Sequence, residues 1–139
     1  MSARVLVVAN RTAESTELRD ALRAKAVDRE PEFTLLVPAT PHGISWAVNP
    51  HDTGGEEAEQ HRQAFLDGLR KVGLNVVDAK IGDPDPLAAV QDECNTNEYD
   101  ELVISTLPTH ISKWLHLDLP RKAGAATGLP VTHVVGSED

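Results

Sequence analysis

The run Val5-Leu6-Val7-Val8-Ala9, near the start of the chain, decides how the rest is interpreted. An unbroken apolar run rich in valine is typical of a strand that is buried on both faces of a parallel sheet. After a polar break the apolar period becomes that of an amphipathic helix, with a stripe formed by Leu18, Ala21, Leu22 and the aliphatic stem of Lys25. A buried strand followed by such a helix predicts the first half of a strand–helix–strand unit.

The same alternation continues along the chain. Further strands are predicted at residues 33–37, 75–81 and 102–104 and at Val131–Val135. Further helices are predicted at residues 56–72, from residue 86 onward and at 120–127. Strict alternation indicates an α/β fold, a five-stranded parallel sheet with helices on both faces. We expect one domain over residues 1–139, with an aliphatic core because aromatic residues make up only 4%.

Single residues are predicted to start and stop these elements. Asp85 is expected to cap the third helix, with Pro86 in its first position, at the end of a turn over residues 82–86. Gly73 is expected to close the second helix. Pro38 is expected to stop the second strand, because proline lacks the amide that a sheet ladder needs.

The charge balance of the chain argues against two classes of binding partner. The chain has 13 Lys and Arg against 22 Asp and Glu, a net charge of −9, and no run of basic residues. Such a charge repels phosphate groups, so we expect neither nucleic acid nor a membrane as a partner. The first apolar run is too short for a signal peptide or a membrane span, and a single cysteine excludes an internal disulfide. We therefore expect a cytoplasmic protein, with Cys94 interpreted as a core residue rather than a reactive thiol.

Ligands of open parallel sheets bind beyond the carboxyl ends of the strands, where the winding of the sheet reverses. The loops expected at that edge are residues 10–12, 39–55, 82–86 and 105–119. None of them carries a glycine-rich dinucleotide fingerprint, a P-loop or a nucleophile elbow. The six histidines lack the helical i, i+4 spacing beside an acidic partner, so we interpret them as solvated. The sequence therefore predicts no metal site.

The loop expected after the fourth strand is chemically the most unusual. Ser105 and Thr106 supply hydroxyls, while His110, Lys113 and His116 supply groups that can carry positive charge. These are suitable donors for a phosphate or another polar ligand. Hydroxyls at strand ends also commonly cap neighbouring backbone groups. Both interpretations of Ser105 and Thr106 stay open at this point.

Five short segments, taken in their order and spacing, resemble the universal stress protein family. They are residues 5–15, similar to that family's opening strand and turn, and residues 34–37, 82–84, 100–106 and 129–131. The resemblance covers nearly the whole chain. It implies a Rossmann-like, adenine nucleotide alpha hydrolase-like three-layer sandwich with strand order 3-2-1-4-5.

The resemblance also implies a ligand crevice between the first and fourth strands. ATP-binding members carry Asp after the first strand and G-x2-G-x9-G-[ST] after the fourth. Here Asn10 stands at the Asp position, and the glycine positions are taken by Ser105, Pro108 and either Leu117 or Asp118. Glycine lets amides approach phosphates, and proline has no amide, so we expect ATP binding in the family mode to be largely lost. The candidate crevice residues are Ala9, Asn10, Arg11, Val37, Ser105 and Thr106.

The leading hypothesis is a non-catalytic binding or regulatory module, which the resemblance implies to act in the stress response and to form a homodimer. Its last strand, Val131–Val135, has no proline and no inward charge that would block pairing with a second copy. The cofactor stays open: the expected ligand is a small nucleotide or anion, and an ATP- or AMP-binding protein is the main alternative. A small enzyme that uses His110 and His116, and an interaction protein that presents Trp114, are further hypotheses.

Overall fold

A parallel sheet forms the centre of the computed structural model, which describes residues 3–9, 16–28, 31–38, 55–83, 85–106 and 118–136. Its strands are β1 (Arg4–Val8), β2 (Glu32–Pro38), β3 (Val76–Gly82), β4 (Glu101–Thr106) and β5 (Val131–Val135). The helices between them are α1 (Thr16–Asp28), α2 (Gly55–Lys71), α3 (Pro86–Thr96) and α4 (Leu119–Thr127). The predicted alternation of strands and helices is therefore confirmed.

The strand order is β3-β2-β1-β4-β5, and every neighbouring pair is parallel. The α/β fold and the strand order implied by the resemblance are both confirmed. Val7, in the middle of β1, is paired with Leu35 of β2 and with Val103 of β4. Because β1 lies at the centre of the sheet, its apolar run is buried on both faces, which explains why the run does not alternate.

Successive residues of the central strands point to opposite faces of the sheet, and each face has its own apolar cluster. Facing α1 and α2, the buried residues include Val5, Val7, Leu18, Leu22, Phe33, Leu35, Phe65 and Leu69. Facing α3 and α4, they include Leu6, Val8, Leu36, Val90, Leu102, Ile104, Leu119 and Ala123. We call these the α1/α2 face and the α3/α4 face. Both are mainly aliphatic, as the composition predicted.

The α3/α4 face also contains polar side chains, grouped around Glu93 of α3. Its Oε2 accepts hydrogen bonds from the Tyr99 hydroxyl at 2.6 Å, from Lys80 Nζ at 2.9 Å and from Asn97 Nδ2 at 2.9 Å. The Arg4 guanidinium lies over the Tyr99 ring, 5.2 Å from its centroid. We call Lys80, Glu93, Asn97 and Tyr99 the Glu93 cluster. It ties α3 both to β3 and to the segment that leads into β4.

The predicted helix caps are confirmed. Asp85 Oδ1 accepts a hydrogen bond from the Leu87 amide at 3.0 Å, and Pro86 lies in the first turn of α3. Gly73 follows α2 with a φ of 87°, and its amide donates to the Arg70 carbonyl at 3.1 Å. Such a left-handed backbone favours glycine, which explains why this residue closes the helix.

The predicted ends of β2 and β3 are each wrong by one residue. Pro38 does not stop β2 from outside but is its last residue, opposite Gly82, where a missing amide costs little of the ladder. Gly82 belongs to β3 rather than to the turn. A Cβ at Gly82 would lie 2.9 Å from both the Ala89 Cβ and the Leu36 Cδ1, so glycine there permits the close approach of α3.

Candidate functional site

Four of the six candidate crevice residues lie in the part of the chain that the structure describes. Ala9 follows β1, Val37 lies near the end of β2, and Ser105 and Thr106 end β4. Since β2, β1 and β4 are adjacent and parallel, all four residues lie at one carboxyl edge of the sheet. The candidates outside the described residues are Asn10, Arg11, His110, Lys113, Trp114 and His116.

Ala9 and Val37 are the two apolar candidates at this edge. Both are fully buried and belong to the cluster on the α1/α2 face. The Ala9 amide donates to the Leu36 carbonyl at 3.2 Å, which extends the pairing of β1 with β2 by one residue. The winding of the sheet reverses here, because the chain passes from β1 to β2 on one side and from β3 to β4 on the other. The geometry therefore agrees with the expected place of a ligand crevice.

Ser105 and Thr106 were expected to begin a loop, and that expectation is wrong. Both belong to β4, where they are paired with Val134 and Val135 of β5. Ser105 shares the α1/α2 face with Val134, whereas Thr106 points to the α3/α4 face, because neighbours along a strand point to opposite sides. Pairing with β5 outweighs the local polarity of the two residues. Their hydroxyls are almost fully buried and do not converge on one point.

Thr106 is held by a residue that the sequence analysis did not select. Its Oγ1 lies 2.7 Å from His133 Nε2, and its carbonyl accepts a hydrogen bond from the Gly136 amide at 2.8 Å. His133 lies on β5 opposite Ile104, and desolvation lowers the pKa of its imidazole, which is therefore neutral at neutral pH. The sequence offers one weak signal for it, an imidazole inside a mostly apolar strand. Only the pairing of β4 with β5 brings it beside Thr106.

The first turn of α4 begins at the same edge and disfavours anions. The Asp118 carboxylate does not cap the backbone of the helix and pairs with the Arg121 side chain instead. Its backbone lies in the left-handed region, at φ 56° and ψ 42°, which glycine adopts without cost. Pro120 removes an amide from the same turn, so both the added charge and the missing donor act against a phosphate.

Other reactive groups are few in the described ranges. No group of three or more His, Cys, Asp and Glu side chains there comes together in a way that could hold a metal ion. No helix in the same part of the chain is long and apolar enough to cross a membrane. Cys94 packs, partly buried, against the α3/α4 cluster, in agreement with its interpretation as a core residue. Burial and the Glu93 carboxylate raise the pKa of its thiol, which keeps the thiol protonated.

Three solved structures share this architecture over nearly their whole length. A universal stress protein from Archaeoglobus fulgidus matches with a TM-score of 0.65 at 15% identity, covering 96% of this chain and 94% of that one. A universal stress protein family protein from Arabidopsis thaliana, with AMP bound, matches with a TM-score of 0.64 at 14% identity, covering 96% of this chain and 92% of that one. A universal stress protein in complex with cAMP matches with a TM-score of 0.63 at 16% identity, covering 95% of this chain and 96% of that one. The fold is that of the universal stress proteins.

The likeness to universal stress proteins lies in the backbone rather than in the sequence. No family model matches the chain, and no curated protein matches it. The resemblance that short segments suggested is confirmed at the level of the fold and the strand order. The loss of the ATP-binding motif of universal stress proteins stays a prediction.

Proposed function

We propose that this chain is a non-catalytic, homodimeric universal stress protein of the cytoplasm, with a regulatory role in the stress response. Its ligand is an adenine nucleoside monophosphate, held at the carboxyl edge between β1 and β4. The observation that carries the proposal is the shared fold, since related architectures have been solved with AMP and with cAMP. General rules for open parallel sheets assign ligands to the same edge.

The described edge favours a monophosphate over ATP. Ala9 and Val37 make the interior beneath this edge apolar, as is common around sites for flat organic rings. In the first turn of α4, at the same edge of the sheet, the Asp118 carboxylate and the lack of an amide hydrogen at Pro120 oppose additional phosphate groups. A ligand with one phosphate therefore suits these residues better than a triphosphate.

Binding without turnover is supported by the kind of side chains at this edge. Within the described ranges, the candidate residues are apolar or are hydroxyl groups that are almost fully buried. A nucleophile must reach its substrate, and Thr106 is only 2% exposed beside its imidazole partner. We expect AMP and ATP to be recovered unchanged after prolonged incubation with the protein, as checked by chromatography. Release of a product would contradict the non-catalytic part of the proposal.

Self-association through β5 is supported by its place at one end of the sheet. The Gly136 amide points towards Thr106 of β4, so by the alternation of a parallel ladder the amides of Val131, His133 and Val135 point away from β4. The Val135 side chain is 45% exposed. An edge with outward amides and no Lys, Arg, Asp or Glu suits antiparallel pairing with a second copy about a two-fold axis.

Calorimetric titration with AMP and with magnesium ATP tests the ligand. We expect the wild type to bind AMP more tightly than ATP. Asp118→Gly and Asp118→Asn, which both tolerate the left-handed backbone and remove the charge, should narrow that difference. Asp92→Asn removes the same charge from an exposed position on α3 and should leave the preference unchanged. Tighter binding of ATP by the wild type, or no binding of AMP, would contradict the proposal.

Sedimentation velocity tests the homodimer. Val135→Pro deletes an outward amide without touching the ladder to β4, so we expect it to convert a dimer into a monomer. The matched control is Val77→Pro on β3, the opposite edge of the sheet, where Val77 is the extra residue of a β-bulge and proline is tolerated. A monomeric wild type, or a Val135→Pro variant that stays dimeric, would count against assembly through β5.

A further inference from the structure

Thr106 is bonded to β5 through both its backbone and its side chain. Its carbonyl accepts from the Gly136 amide at 2.8 Å, which continues the backbone ladder. Its Oγ1 lies 2.7 Å from His133 Nε2, which adds a side-chain link across the two strands on the α3/α4 face. We call this second bond the Thr106–His133 clasp. Because Thr106 is almost fully buried, losing the clasp would leave its hydroxyl without an equivalent partner.

The clasp lies where β4 ends beside the crevice. Ser105, the preceding residue, points to the opposite face, which it shares with Ala9 and Val37. Adjacent residues share one backbone, so fixing Thr106 also fixes the direction of Ser105 and the course of the chain at the end of β4. Binding groups need this kind of support, because an error of a fraction of an ångström weakens a polar contact.

We infer that His133 is a positioning residue of the nucleotide site, acting through the Thr106 hydroxyl without touching the nucleotide. The inference rests on the proposed binding of AMP between β1 and β4. The neutral imidazole can accept a hydrogen bond from the Thr106 hydroxyl or, in its other tautomer, donate a hydrogen bond to it. A glutamine side chain can also do either, whereas phenylalanine can do neither. Replacing His133 by phenylalanine should therefore remove the clasp, and replacing it by glutamine should restore the hydrogen bond.

The experiment measures AMP affinity by calorimetry in a double-mutant cycle. His133→Phe and Thr106→Val should each weaken AMP binding about 5- to 10-fold, because a displaced end of β4 would cost the polar contacts to the nucleotide about as much as one hydrogen bond. The double variant should be no weaker than either single variant, because both remove the same clasp. His133→Gln should restore most of the affinity, which a purely space-filling role for the ring would not allow. Thr96→Val, the same change at an exposed position on α3, should bind AMP as the wild type does.

Two outcomes would overturn the inference while leaving the proposed function intact. One is unchanged AMP affinity in His133→Phe, and the other is fully additive losses in the double variant. A wild type that does not bind AMP would contradict the proposed function, and this inference with it. Because His133 lies on β5, each variant is first checked for its melting temperature and oligomeric state. If His133→Phe does not fold, His133→Asn replaces it, since its shorter amide falls short of Thr106.

Discussion

The two helical layers cover the sheet by different means. On the α1/α2 face the cluster is apolar and includes both phenylalanines of the chain, Phe33 and Phe65. On the α3/α4 face the apolar cover contains the small residues Ala89 and Ala123 and lies beside the Glu93 cluster. One face is therefore stabilised by side-chain volume, and the other partly by a buried carboxylate and its donors.

This difference predicts a different response to acid. Burial raises the pKa of Glu93, but the hydrogen bonds from Tyr99, Lys80 and Asn97 outweigh it, so the pKa lies below its ordinary value of 4.5. A carboxyl group with a lowered pKa contributes stability above that ordinary value, and the contribution is lost as the pH falls through the lowered pKa. Buried apolar side chains have no titrating group, so their contribution to stability does not change with pH. Acid should therefore weaken the α3/α4 face before the α1/α2 face.

The largest expected effect is that of Phe65→Ala on the α1/α2 face. Removing a fully buried ring should lower the free energy of unfolding by about 3–5 kcal/mol, because the cavity is only partly refilled. Urea unfolding at neutral pH and at about pH 4 should give the same loss, because no titrating group is involved. Phe65→Leu fills more of the space and should cost clearly less. A loss that depends strongly on pH would break the comparison between the two faces.

Glu93→Ala on the α3/α4 face should cost about 2–3 kcal/mol at neutral pH, because Tyr99, Lys80 and Asn97 all lose their acceptor. The cost should shrink as the pH falls below 4.5, where the wild type loses the same contribution. Urea unfolding along a pH series measures both effects. Glu93→Gln keeps an acceptor but cannot titrate, so its stability should change less with pH. Parallel pH curves for the wild type and Glu93→Ala would rule out the proposed role of the carboxylate.

Tyr99→Phe should cost about 1.5–2 kcal/mol, because the hydroxyl donates to an ionised carboxylate and such a bond contributes more than a neutral one. Burial and the bond to Glu93 raise the pKa of Tyr99 above its ordinary value of 10. Its contribution is complete below that value and is lost as the pH rises towards the raised pKa. Tyr99 is the single tyrosine of the chain, so phenolate absorbance reports on it alone. We expect phenolate to form together with unfolding; phenolate that appears in the folded protein near pH 10 would contradict the burial of the hydroxyl.

Lys25→Met should have the smallest effect of the four. Lys25 Nζ lies 2.8 Å from Glu101 Oε2, but both side chains are partly exposed, at 24% and 20%. Ion pairs in such surroundings contribute about 1 kcal/mol or less. The loss, measured by urea unfolding, should diminish further in salt of about 1 M. A loss as large as that of Glu93→Ala would mean that the α1/α2 face also depends on charge.

Elements whose stability depends on near neighbours in sequence could be predicted from the sequence. Asp85 accepts a hydrogen bond from an amide two residues away, and Gly73 donates one to a carbonyl three residues away. Both caps can therefore be predicted from neighbouring residues in the sequence. The apolar run of β1 likewise indicates burial on both faces. Of the candidate site, Ala9 and Val37 were placed correctly at the edge, because the end of a strand is also a local feature.

Contacts between strands could not be predicted in the same way. In the sequence, Ser105 and Thr106 are adjacent polar residues that suggest a single binding group, yet the strand directs their side chains to opposite faces of the sheet. His133 lies 27 residues from Thr106, and nothing local indicates that their side chains meet. Glu93 and Lys80, 13 residues apart, meet only because α3 packs on the face to which β3 directs Lys80. In each case the partner is chosen by register, which depends on the whole sheet.

The sequence by itself determined the alternation of strands and helices, the aliphatic core and the caps, and it predicted the edge of the sheet for a ligand. These depend on period, propensity and contacts within one turn of chain. Only the tertiary structure decided which hydroxyl points to which face, that His133 holds Thr106, and that the Glu93 carboxylate is buried on the α3/α4 face. The physical reason is that parallel pairing joins residues far apart along the chain, and a shift of one residue would exchange the two faces.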